Sequence, residues 1–137
     1  MSEAELRTVT IEREIGYPPE KIWRALTMPH LLQEWLMKTD FAPEPDREFQ
    51  FRGDWGSVDC KVLEVEPPVS LSYTWGAMGL ESVVTWTLTP TPAGTHLRME
   101  QTGFRKDQEQ AYQGAKVGWR RMVDKLAEIV AGEEGAA

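Results

Sequence analysis

Near the start of the chain Val9, Ile11 and, after Arg13, Ile15 alternate with polar Thr10, Glu12 and Glu14. A period of two sends one set of side chains to a buried face, so the segment is predicted as a half-buried strand. The rhythm then changes. In "GYPPEKIWRAL" Pro19 suits a first helical turn and Glu20 suits the positive end of the helix dipole. Ile22, Trp23, Ala25 and Leu26 follow as a stripe at helical spacing. "TMPHLLQEWLM" repeats the signal, with Thr27 or Met28 near the cap, Pro29 in the first turn and Leu31, Leu32, Trp35 and Leu36 as the apolar face. Helices this short are unstable alone and must pack on something.

The proline-rich "DFAPEPD", Asp40 to Asp46, reads as loop. Beyond it the period of two returns and persists to about Thr102. Phe49 and Phe51 share one face of a strand, and Val58, Cys60 and Val62 share one face of the next. Leu63 and Val65 continue that pattern out of phase, which predicts a bulge near Val62–Leu63. Pro67 and Pro68 cannot donate to a ladder and are expected at the turn before Leu71, Tyr73 and Trp75. "GAMGLE" and "TPAG" turn the chain around strands carrying Val84, Trp86 and Leu88, then Leu97, Met99 and Gln101. Short strands joined by tight turns predict an antiparallel meander.

The last element is a long helix. Asp107 and Gln110 have the spacing of a capping box, and at 100° per residue Ala111, Ala115, Gly118, Trp119, Met122, Leu126 and Ile129 fall on one face. "GEEGAA" is a polar stop expected to fray. The predicted order is one strand, two short helices, five strands and one long helix.

A chain of 137 residues fits one domain with a sizeable core. The lone Cys60 excludes an internal disulfide and a cysteine-based metal cluster. No apolar run approaches the ~20 residues of a membrane helix, and the polar N-terminus is no secretory signal, so a cytoplasmic location is the default expectation. The net charge of −7 opposes binding to a phosphate backbone. The densest basic spot, Lys116, Arg120, Arg121 and Lys125, reads as a solvated helix face.

The stretches "PPEKIWRALTMPHLLQEW", "KVLEVEPPVSLSYTW", "ESVVTWTLTP" with "GTHLRMEQTGF", and "GWRRMVDKLAEIV" together cover nearly the whole chain. In that order they resemble the bacterial standalone domains similar to the C-terminal domain of the activator of heat-shock protein 90 ATPase, in the START-like (SRPBCC) superfamily. The resemblance implies a single α+β domain over residues 1–137, ordered from about 6 to 131. Its helix-grip fold is a curved antiparallel sheet wrapped around the C-terminal helix, with the two short helices closing one end. It also implies a small hydrophobic or aromatic ligand held between sheet and helix. A chaperone partner is implied by resemblance only, and some relatives in the superfamily are polyketide cyclases or dehydratases.

With that fold, Phe49, Phe51, Tyr73, Trp75, Trp86 and Met99 point to the concave face, toward Trp119 and Met122. Aromatics at alternate strand positions are ordinary core. The cavity reading rests on Gly114, Ala115 and Gly118, small residues where a packed helix favours Leu or Ile. A helical glycine costs about 1 kcal/mol relative to alanine, so these mark either close approach or empty space. Gln101, the Tyr73 hydroxyl and the indole N–H groups are the candidate polar points. No catalytic residue, metal or cofactor is indicated. His30 and His96 are far apart and read as surface residues without an accompanying carboxylate cluster, and Cys60 has no nameable base. The Trp35–Phe41 segment is a candidate partner surface only if exposed.

Overall fold

The computed structural model describes residues 6–54, 56–77 and 79–136, with the side chains of 133–136 outside the description. Strand β1 (Arg7–Ile15) buries Val9, Ile11 and Ile15, the residues of the alternating face. The two arginines of this strand have a purpose. Arg13 pairs with Asp124, and Arg7 lies 2.7 Å from Glu109, off-axis for a hydrogen bond, with its guanidinium 4.1 Å from the Tyr112 ring centre. Both partners belong to the C-terminal helix, so β1 fixes where that helix lies along the sheet.

Helices α1 (Pro19–Thr27) and α2 (Pro29–Trp35) each begin on a proline, whose missing N–H would have no partner there anyway. They bury Ile22, Ala25 and Leu26, then Leu31, Leu32 and Trp35. The Trp35 indole donates to the Ala25 carbonyl at 2.9 Å, joining the two helices.

A two-residue strand, β2 (Lys38–Thr39), comes next, so six strands rather than five follow the helices. So short a strand has no period to read; its pairing with β3 creates it. Strands β3 (Glu48–Gly53), β4 (Gly56–Glu66), β5 (Ser70–Ala77), β6 (Leu80–Thr91) and β7 (Gly94–Phe104) complete one antiparallel sheet in the order β1-β7-β6-β5-β4-β3-β2. The meander is as expected, and β1 closes it beside the last strand. The register of β4 against β5 shifts between Val62 and Glu64, which turns Leu63 outward to 40% exposure. Pro67 and Pro68 sit in the turn between β4 and β5, closed by Val69 N–H donating to the Glu66 carbonyl at 2.6 Å. Gly103, with φ of +128°, breaks the phase of β7. A Cβ there would lie 2.6 Å from the Glu81 carbonyl oxygen, so only glycine fits. The break returns Phe104 to the buried side.

Helix α3 (Glu109–Ala136) crosses the concave face. Its start differs from the expected Asp107–Gln110 box. Gln108 Oε1 accepts the Arg105 N–H at 2.8 Å, opening a 3₁₀ turn over Lys106–Gln108 that leads into the helix. The helix also continues past residue 132, where a frayed tail was expected; Ala137 lies outside the described residues. The packed seam is Trp119, Val123, Leu126 and Val130. That line is rotated by roughly 60° from the predicted face, at 100° per residue. The reason is that the apolar arc of α3 serves two purposes. One side packs on the sheet, and the other, through Ala111, Gly118 and Met122, borders open space.

Candidate functional site: an apolar cleft beneath the C-terminal helix

The second half of α3 is anchored by its seam, and the first half, held to β1 by Arg7 and to β7 by Tyr112 on Phe104, leaves a gap toward the β5–β6 hairpin. An ideal Cβ built on Gly114 or Gly118 meets nothing within 4 Å. The glycines therefore leave space; they do not permit close packing. Between them, the β5–β6 hairpin and the segment after α2 lies a cleft of about 530 Å³. Trp75 and Trp119 line its depth, their ring centres 5.0 Å apart and tilted by 60°. Leu36 and Met37 border one side and Leu80 and Phe104 another, and no charged side chain is among the lining residues. It opens to solvent past the exposed Ala111 and Gly114.

One buried polar chain lies behind the aromatic wall. Trp119 Nε1 donates to Gln101 Oε1 at 2.6 Å, Gln101 Nε2 donates to Ser82 Oγ at 2.9 Å, and Ser82 donates to the Trp75 carbonyl at 2.9 Å. Its direction is forced. An indole nitrogen only donates, so the Gln101 oxygen must face it, the amide nitrogen must face Ser82, and the serine proton must go to the carbonyl. The chain cross-links α3, β7, β6 and β5 at the cleft.

Of the residues expected to line a cavity, Trp75, Gln101, Gly114, Gly118, Trp119 and Met122 border the cleft. Phe49, Phe51, Tyr73, Trp86 and Met99 do not; they are packed core. Phe41 explains part of the difference. It leaves the proline-rich loop to sit 4.9 Å from Phe49 and 6.2 Å from Tyr73, ring centre to ring centre, filling that part of the concave face. The Tyr73 hydroxyl accepts from Trp86 Nε1 at 3.0 Å, and burial drives its pKa well above the ordinary phenol value. Sequence reasoning missed Ser82, Leu80, Phe104, Leu36 and Met37. Ser82 was within reach, two residues before Val84 on the same alternating face. Phe104 was hidden by the phase break at Gly103.

Elsewhere the candidate chemistry is quiet. Burial pushes the Cys60 thiol up to about 12, helped by the charge of Asp59, so it is a poor nucleophile. His96 does have carboxylates beside it, contrary to expectation. Pairing of β1 with β7 sets Glu14 opposite it, and its Nδ1 lies 2.5 Å from Glu14 Oε2 and its Nε2 2.8 Å from Glu12 Oε1. These hydrogen bonds, Glu14 first, raise its pKa. Among the described residues no group of three or more His, Cys, Asp or Glu side chains is arranged to hold a metal. Trp35 and Phe41 are both buried, so the segment between them is no aromatic docking surface.

Residues 16–131 match the family described as "Activator of Hsp90 ATPase homolog 1-like protein". The chain belongs to that family. Like other members of the Hsp90-ATPase-activator-homologue family it has the helix-grip fold of the START-like proteins. Protein MLL2253 from Mesorhizobium loti is 57% identical, with a TM-score of 0.89 over 91% of this chain and 97% of that one. BH1534 from Bacillus halodurans is 26% identical, with a TM-score of 0.81 over 90% of this chain and 96% of that one. DynU16, described as a putative protein in the dynemicin biosynthetic locus, is 25% identical with a TM-score of 0.83; the match covers 90% of this chain and 47% of DynU16. No curated protein matches this family member. No helix among the described residues is long and apolar enough to cross a membrane.

Proposed function

We propose that this protein binds a small hydrophobic or aromatic molecule in the cleft between the sheet and the first half of α3. The observation that carries the reading is the empty space facing Gly114 and Gly118 above Trp75 and Trp119. A helix pays for two interior glycines, and here no backbone approach repays them. An apolar concavity with one polar contact point is the usual form of a small-ligand site. The likeness to DynU16, a putative protein in the dynemicin biosynthetic locus, favours a small molecule over a protein partner. Binding without turnover is the better fit, because no residue lining the cleft ionises near neutral pH.

The test is a titration with N-phenyl-1-naphthylamine, a neutral fluorophore, followed by quenching of tryptophan emission. The wild type should bind saturably, and Gly118→Leu, which fills the cleft, should not. A wild type that fails to bind up to the solubility limit, or a Gly118→Leu protein that binds unchanged, would overturn the reading. Native mass spectrometry of freshly purified protein should show an added small-molecule mass.

A further inference from the structure

The polar chain at the cleft is complete except at one point. Gln101 is 1% exposed and borders the cleft. Its oxygen takes the Trp119 proton and one amide hydrogen goes to Ser82. Among the described residues nothing accepts the second hydrogen of the same NH₂ group. The serine oxygen lies along the first N–H and cannot also lie along the second, which diverges from it, and the Trp75 carbonyl is bonded to the serine and not to the amide. A buried N–H without an acceptor is rare, whereas an oxygen with a spare lone pair is common, so the unmet demand here is for an acceptor. The cleft supplies none: its other side chains are aliphatic, aromatic or thioether. Nor does any Lys or Arg line it, so an anionic oxygen would be desolvated without a counter-charge.

From this we infer that the ligand is a neutral, ring-based molecule carrying a hydrogen-bond acceptor such as a ketone, quinone or ether oxygen, taken by the free amide hydrogen of Gln101. The inference rests on the proposed binding function and sharpens it. Gln101 becomes the group that sets specificity. It is held by Trp119 on one side and Ser82 on the other, so the amide cannot flip to offer its oxygen instead. Hydrocarbons of the same shape leave the N–H unpaired, and fatty-acid carboxylates bring a charge that the cleft does not balance. Trp75 and Trp119, tilted by 60° to each other, offer a flat ring one stacked and one edge contact beside the amide.

Fluorene and 9-fluorenone share one tricyclic frame and differ by the carbonyl. Titrated by tryptophan quenching, fluorenone should bind about fivefold tighter or more, the worth of one net hydrogen bond. The infrared carbonyl stretch of bound fluorenone should move to lower frequency than in hydrocarbon solvent. In Gln101→Met, which keeps length and loses the amide, the preference should fall to about one while fluorene still binds. If both probes bind the wild type but fluorene is equal or tighter, or the bound carbonyl stretch is unshifted, the acceptor proposal is wrong and the binding function stands. If neither probe binds while N-phenyl-1-naphthylamine does, the acceptor proposal falls and the binding function stands; if none of the three binds, both fall. Should Gln101→Met fail to fold, the stretch measured on the wild type decides alone.

Discussion

Replacing Gly118 with leucine tests the central geometric claim by the sign of a single number. Leucine is a far better helix former than glycine, a gain of about 0.8 kcal/mol at an interior position. The new Cβ meets no atom within 4 Å, so the first methylene enters without a clash. The rest of the side chain lies along the apolar cleft beside Trp119 and Met122 and loses about half its exposure to water, worth about 1 kcal/mol. The sum is a stabilisation of roughly 1–2 kcal/mol, against a cost of about 1–3 kcal/mol had the glycine marked close packing. Urea denaturation should be followed by far-UV circular dichroism, because the substitution sits beside Trp119 and would disturb its emission. An unchanged slope with a raised midpoint is the expected result. A lowered midpoint would mean that helix and sheet close on each other at residue 118, and the cleft reading would lose its foundation. Gly114→Ala, at the other open glycine, should gain about 1 kcal/mol by helix propensity alone.

Three further outcomes follow from the core and the sheet surface. Trp119→Ala should destabilise by roughly 3–5 kcal/mol, the range for emptying a large buried aromatic site, with Gln101 left unpaired; a loss below about 1 kcal/mol in urea melts would show that the ring is not core. Cys60 should resist Ellman's reagent at pH 8 in the folded protein and react fully in urea, since burial disfavours the thiolate; prompt native labelling would contradict its 5% exposure. The folded pKa of His96 is raised by Glu14 and Glu12, so its contribution to stability is full below the ordinary histidine value of about 6.5 and fades as pH rises through the raised value. The stability gap between wild type and His96→Gln should therefore shrink with rising pH, and a gap constant across the series would refute the pairing.

What the sequence made legible was whatever depends on a repeating face. Val9, Ile11 and Ile15, the Leu71–Tyr73–Trp75 strand, and the helices opened by Pro19 and Pro29 all announce themselves by spacing. The slip at Val62–Leu63 was readable because it breaks a period already established. The illegible parts depend on encounters between distant segments. Whether Gly114 and Gly118 meant contact or space required knowing how far the first half of α3 stands from β5 and β6. The rotation of the helix seam needed the cleft, and the placement of α3 along β1 needed Arg7 and Arg13, whose partners Glu109 and Asp124 come from the other end of the chain. Phe41 in a proline-rich loop gave no hint that it would fill the floor beside Phe49 and Tyr73. The carboxylates around His96 became visible only with the β1–β7 register.

That register has a consequence for the order in which the molecule can be made. Arg7 pairs with Phe104 and Ile15 with Thr95, so the first strand synthesised waits for the last before it has a ladder partner. On the ribosome, β2 to β6 can zip as successive hairpins while residues 7–15 remain a single extended segment with an apolar side. During that interval β7, once it emerges, offers its outer row of N–H and C=O groups to any passing strand. The chain's own N-terminal segment is tethered and therefore the nearest candidate, but the competition is real at high expression. Deleting residues 1–15 would leave this edge uncovered permanently, and the truncated protein should be recovered in inclusion bodies, although the cleft residues are all intact.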